Sequence, residues 1–318
     1  MALSPDQVDR ARGAVLGSAV GDALGAAYEF GCRAVGPSGP EMLGGGLGGF
    51  APGEWTDDTA MAWCILDVAA SHDDLGREDA LTQVARRFRQ WYESEPADIG
   101  NQTRSVLGEV GPDPVASALT ATSYDLHART GHTAGNGSLM RTAPVALRHL
   151  EDRVALVDAA RRISALTHYD RQAQDACALW SVAISHAVVS GDVDIRSGLV
   201  LLEPAAAETW AGLIDEAESR EPTDFSPNGW VVSAFQAAWS AIVHTPVPTD
   251  EPSRHFGDAL DTAIRIGDDT DTVAAIAGGL LGARWGAASI PRPWRTMLHG
   301  YPGITGEDLV GLVDRAIG

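Results

Sequence analysis

The sequence predicts an all-α fold. Apolar residues recur at the helical spacing of three and four along most of the chain, and two-residue alternation is nowhere sustained. With 318 residues, 45% of them apolar, the chain can bury roughly three-quarters of the surface that its unfolded form exposes, so the core needs no disulfide or structural metal. The expected organisation is one domain, residues 1–318, of about a dozen helices.

Ser4, Pro5 and Asp6 form a helix start, and Val8, Ala11, Val15, Leu16 and Ala19 continue it, which predicts a first helix reaching about Phe30. Gly17, Gly21 and Gly25 recur every fourth residue within it. Each costs about 1 kcal/mol against alanine, which implies that a packed helix or a ligand approaches that face closely. Gly31 to Gly53 is rich in Gly and Pro without an apolar period and predicts a long irregular loop, often a functional feature. Further helices are predicted over 57–71, 78–93, 138–149, 151–166, 170–190, 205–218, 229–243, 255–266, 271–286 and 306–317. The Pro-rich stretches Glu221 to Asn228 and Thr245 to Pro252 read as connections, because helices of similar character flank both.

Composition excludes several functions. Against 23 basic residues stand 43 acidic ones, and the net charge of −20 repels a long nucleic acid. Lysine is absent, which removes Schiff-base chemistry and the P-loop lysine. Cys32, Cys64 and Cys177 are far apart and read as free thiols of a reducing compartment. The longest uncharged apolar run, Val273 to Ala283, is too short for a bilayer, and Asp6, Asp9, Arg10 and Arg12 interrupt any signal-peptide core, so a cytoplasmic location is expected.

Two helix starts are unusually acidic. Glu54-Trp55-Thr56-Asp57-Asp58-Thr59 places Thr56 as N-cap and two aspartates in a first turn, where the helix dipole alone would favour them. Gly267-Asp268-Asp269-Thr270-Asp271-Thr272 opens a second, strongly apolar helix. Carboxylates there would repel by roughly 3 kcal/mol per pair at ~5 Å with an effective dielectric near 20, and capping needs only one. If the two starts converge, Thr56, Asp57, Asp58, Asp269, Asp271 and Thr272 offer a shell of oxygen alone, which suits magnesium or manganese rather than zinc. An EF-hand is excluded because the twelfth position from Asp269 is Leu280. Gly135-Asn136-Gly137-Ser138-Leu139-Met140-Arg141 is a glycine-flanked turn at a predicted helix start, and its backbone amides, with Arg141, suit a diphosphate. The G-x-G-x-x-G at Gly44 to Gly49 lacks both the strand before it and the helix after it that a nucleotide fingerprint requires.

Taken together, these residues resemble the ADP-ribosylglycohydrolase family, which includes the dinitrogenase-reductase-activating glycohydrolases. The resemblance rests on Gly17-Ser18-Ala19-Val20-Gly21-Asp22-Ala23-Leu24-Gly25 with Glu29, on Trp55 to Thr59, on Gly135 to Arg141, on Thr167-His168 and on Gly267 to Thr272, in the family's order across residues 13 to 286. It implies a single orthogonal all-α domain with two magnesium ions in a cleft, manganese being an alternative, and cleavage of the bond between ADP-ribose and its acceptor. By the same resemblance Thr56, Asp57, Asp58, Asp269, Asp271 and Thr272 hold the metals, and Glu29 stands near the scissile ribose. Gly135, Asn136, Gly137 and Ser138 match the diphosphate loop, and His168 a residue near the ribose. Trp230 replaces a tyrosine that packs on the nucleotide in many relatives, with a place in the core as its other reading.

The implied chemistry is metal-assisted hydrolysis, with Glu29 or a metal-bound aspartate (Asp57, Asp58 or Asp269) taking a proton from water. Two divalent ions would offset the ligand's two negative charges in so acidic a chain. The acceptor stays open among arginine, serine, a nucleobase or a small molecule. Prenyl-diphosphate enzymes also use acidic helices with magnesium, but their D-D-x-x-D pattern would need an acid where Met61 stands. An inactive ADP-ribose-binding module on the same fold is the remaining alternative.

Overall fold

A computed structural model describes residues 3–318. Among the described residues the helices are α1 (Pro5–Gly25), α2 (Asp57–Ala69), α3 (Glu78–Glu93), α4 (Asn101–Glu109), α5 (Ala116–Thr130), α6 (Ala143–Arg148) and α7 (Arg153–Ala165). They continue with α8 (Arg171–Ser190), α9 (Pro204–Ser219), α10 (Val231–His244), α11 (His255–Arg265), α12 (Thr270–Trp285), α13 (Arg292–Met297) and α14 (Gly306–Ile317). The strands β1 (His299–Gly300) and β2 (Ile304–Thr305) form a two-residue antiparallel hairpin. The all-α expectation holds.

At the centre α1 lies directly against α12. The glycine stripe of α1 is the reason: a Cβ on Gly17 would collide with the carbonyl oxygen of Gly278, and one on Gly278 with that of Gly17. The close approach is therefore helix to helix. Around this pair α12 also packs on α8, α10 and α11, while α2 packs on α3 and α6. The Ser4 hydroxyl accepts from the Gln7 amide while the Gln7 side chain accepts from the Ser4 amide, a reciprocal cap that starts α1 where the sequence places it.

Three expectations on helices change. The first helix ends at Gly25 rather than near Phe30, because Phe30 and Gly31 take left-handed backbone angles (φ 45° and 74°) and the Phe30 amide donates to Asp268 O at 2.7 Å. The helix expected over 138–149 divides into a 3-10 turn, Asn136–Ser138, and the short α6, since Pro144 has no amide hydrogen and its ring excludes a helical carbonyl one turn earlier. Helices α4, α5 and α13 carry little apolar signal: α5 buries only Ala116, Leu119 and Ser123, and α13 buries nothing fully. No helix among the described residues is long and apolar enough to cross a membrane.

Candidate active site

The packing of α1 on α12 brings Gly25 against the backbone of Asp271, and the Thr270 hydroxyl donates to Gly25 O at 2.8 Å. One turn earlier on α1 stands Asp22, which is fully buried. Its carboxylate accepts from the Thr56 amide at 3.0 Å, the Thr59 amide at 3.0 Å and the Thr59 hydroxyl at 2.6 Å. Asp22 thus fixes the N-terminus of α2 against α1, and the two acidic helix starts converge.

Carboxylate oxygens of Asp22, Asp58 and Asp271 lie within 4.8 Å of one another, as do those of Glu29, Asp269 and Asp271. Asp271 belongs to both groups. Asp58 Oδ2 accepts from the hydroxyls of Thr56 and Thr272, each at 3.3 Å. Asp58 Oδ1 and Asp271 Oδ1 are buried and accept no hydrogen bond. Two buried carboxylate oxygens left without donors, in a shell of oxygen alone, fit a hard divalent cation.

The electrostatics agree. Burial and neighbouring acids push the Asp58 and Asp271 carboxyls well above the usual range. Glu29, on the turn after α1, is pushed up to about 8 by burial and by the charges of Asp269 and Asp98. Asp57 is raised to about 7 by burial and Asp98; it falls in neither group and accepts from the Gly100 amide at 3.3 Å. Burial raises Asp22 to about 6 against the pull of its hydrogen bonds.

Glu29, Asp57, Asp98, Asp269 and Asp271 line a cleft of about 420 Å³ together with Gly135, Asn136, Gly137 and His168, while Asp22 and Asp58 are buried off its lining. Asn136 is stitched into it: its side-chain amide donates to Asp269 Oδ2 at 2.7 Å and to Asn228 O at 3.1 Å. Asp269 is thereby aimed at the cleft and does not cap α12 with its side chain. The Asn136 amide donates to Gly229 O, whereas those of Gly137 and Ser138 make no such bond among the described residues.

Arg141, Ser138 and Trp230, expected at the ligand, are not on the lining of this cleft. Arg141 is wholly buried; its guanidinium donates to Thr167 Oγ1 at 2.6 Å and stacks over Phe88 at 4.5 Å, so it does not reach the cleft. The Ser138 hydroxyl turns inward to Ser164 and Cys177, leaving only its backbone to serve a ligand. Trp230 is 48% exposed, outside the core and off the cleft lining, with its indole N–H on Gln172 at 3.0 Å.

Sequence reasoning passed over Asp22, Asn228 and Asp98. Asp22 is an acid inside an apolar helix, a signal in itself. Asn228, one of three asparagines, accepts from the Asp269 amide at 3.0 Å and donates to Gly267 O at 3.1 Å, which holds the start of α12. Asp98 lies in a loop with no pattern, and nothing in the sequence marks it.

Fold and cleft define an all-α protein with paired acid groups able to hold a metal. A family model described as ADP-ribosylglycohydrolase matches residues 3–318, and the chain belongs to that family. It is 32% identical over 298 residues to an ADP-ribosylarginine hydrolase Tri1 of Pseudomonas putida (strain GB-1), covering 92% of this chain and 75% of that one. It is 30% identical over 302 residues to an ADP-ribosyl dinitrogen reductase glycohydrolase of Rhodospirillum rubrum, covering 92% of each. A solved structure titled ADP-ribosylglycohydrolase-related protein complex superposes with a TM-score of 0.72 at 28% identity, covering 99% of both chains.

Proposed function

We propose that the chain hydrolyses the bond between the anomeric carbon of ADP-ribose and an arginine side chain, using two magnesium ions, with manganese as a substitute. The observation that carries this reading is Asp271, shared by two acid triplets, with its own Oδ1 and that of Asp58 buried and without a donor. When bound, the cations supply Lewis acidity at the ribose and a water of raised acidity.

The chain's own residues do the rest. Asp22 holds the start of α2, and Asn136 and Asn228 hold Asp269, so the acids are fixed before ligand arrives. The free amides of Gly137 and Ser138 suit the diphosphate. Water adds its oxygen to the anomeric carbon, the bond to the acceptor nitrogen breaks, and the leaving guanidine gains a proton. Glu29, beside Asp269 and Asp271 on the cleft lining, is placed to carry protons at that centre.

The acceptor follows from charge. A second cleft of about 540 Å³ shares Asp57 and Asp98 with the first and adds Glu54 and Glu95, with no arginine in either lining. Such walls favour a cationic acceptor, in keeping with the relative named an ADP-ribosylarginine hydrolase. Chromatography of ADP-ribose freed from modified arginine and modified serine, with magnesium present, tests this. Faster release from arginine is expected; preference for serine overturns the acceptor assignment, and binding without release leaves an inactive module.

A further inference from the structure

Arg141 is a buried guanidinium with no carboxylate partner, an arrangement that needs a reason. Its Nη1 meets Met61 Sδ at 3.3 Å, its Nε has no partner, and its Nη2 donates to Thr167 Oγ1 at 2.6 Å. The same hydroxyl lies 2.8 Å from His168 Nδ1. An arginine can only donate, so Thr167 Oγ1 is its acceptor. The hydroxyl hydrogen then has one acceptor within reach among the described residues, His168 Nδ1. If that nitrogen carried a hydrogen instead, the buried Thr167 hydroxyl would donate to nothing.

The geometry points to a relay, Arg141 to Thr167 to His168, that holds the imidazole neutral with its hydrogen on Nε2 and aims that N–H at a ligand oxygen above Gly135 and Gly137. His168 lines the cleft, and Nε2 lies 3.4 Å from where a Cβ on Gly135 would stand and 3.2 Å from one on Gly137. Nε2 has no partner within the described chain. Burial and the charge of Arg141 both disfavour the imidazolium. Arg141 and Thr167 are positioning residues, and the ligand chemistry they prepare for is a phosphate or ribose oxygen. The identity of that ligand rests on the function proposed above; the tautomer does not.

Side-chain nitrogen NMR on the ligand-free, uniformly labelled protein reads the tautomer, with the His168 signals assigned by their loss in His168→Gln. The expected spectrum shows a protonated Nε2 and a bare Nδ1. Thr167→Val removes the hydroxyl at equal volume and should lose that fixed pattern, while Thr167→Ser restores it. Calorimetry should show ADP-ribose binding weakened by about tenfold in Thr167→Val and close to wild type in Thr167→Ser. A hydrogen on Nδ1 in the wild type, an imidazolium at neutral pH, or an unchanged spectrum in Thr167→Val overturns the relay. If Thr167→Val does not fold, the wild-type spectrum still decides. A wild type that shows the expected tautomer but binds no ADP-ribose defeats the functional reading and leaves the relay intact.

Discussion

The hydroxyl of Thr59 donates to Asp22 across 2.6 Å, joining the last turn of α1 to the first turn of α2 in a place closed to water. Two backbone amides share that carboxylate. Asp22→Ala leaves all three donors buried without an acceptor, at about 1 kcal/mol or more each. Urea denaturation should show a loss of about 3 kcal/mol or more, against about 1 kcal/mol for Thr59→Val; equal small losses would mean that Asp22 does not hold α2.

Stability should fall with rising pH when divalent ions are chelated. Asp22, Asp57 and Glu29 keep their protons up to about 6, 7 and 8 in the folded protein, above their ordinary values of 3.8 and 4.5. Between those limits the folded state binds more protons than the unfolded one, so ionisation works against folding. Melting temperature in chelator should be higher at pH 5 than at pH 8, and magnesium should raise it most at pH 8. A metal-free protein more stable at pH 8 contradicts the buried-acid description.

Gly17→Ala tests the helix contact beneath the site. Alanine favours the helix by about 1 kcal/mol, but its Cβ would strike the Gly278 carbonyl, and forced overpacking costs about 1–3 kcal/mol or more. A net loss of about 2 kcal/mol in thermal or urea unfolding is expected, with a weaker magnesium response because Asp22 and Asp271 move apart. A stabilised variant would show that α1 and α12 are not in backbone contact.

Glu29→Gln should lower turnover by about 100-fold to 10,000-fold while ADP-ribose still binds, as expected for loss of a proton carrier. Steady-state kinetics together with calorimetry separate this from a Glu29 that only closes the loop, in which case affinity falls together with rate.

How much of this was legible depended on the kind of signal. The acidic starts of α2 and α12 and the glycine stripe of α1 are local patterns, and the structure brings them together as the sequence suggests. Arg141 misled because a basic residue beside a glycine turn suits a phosphate, whereas its direction is set by Thr167, Met61 and Phe88, distant in sequence. Ser138 turned inward for the same kind of reason, drawn by Ser164 and Cys177. Asn228 and Asp98 act through folding of separate loops, which no periodicity records. Helix α5 escaped notice because a mostly exposed helix needs few apolar residues.

The central claim is that the shared acid groups around Asp271 hold the ions on which hydrolysis depends. The most direct test follows release of ADP-ribose from ADP-ribosylated arginine as magnesium is added back to chelated protein, for wild type and Asp271→Asn. The account predicts that wild-type release is absent in chelator and returns with magnesium. Asp271→Asn should stay silent while melting higher than wild type in chelator at pH 8, since a repelling carboxyl has gone. Release that persists in chelator, or magnesium-restored release in Asp271→Asn equal to wild type, would contradict it.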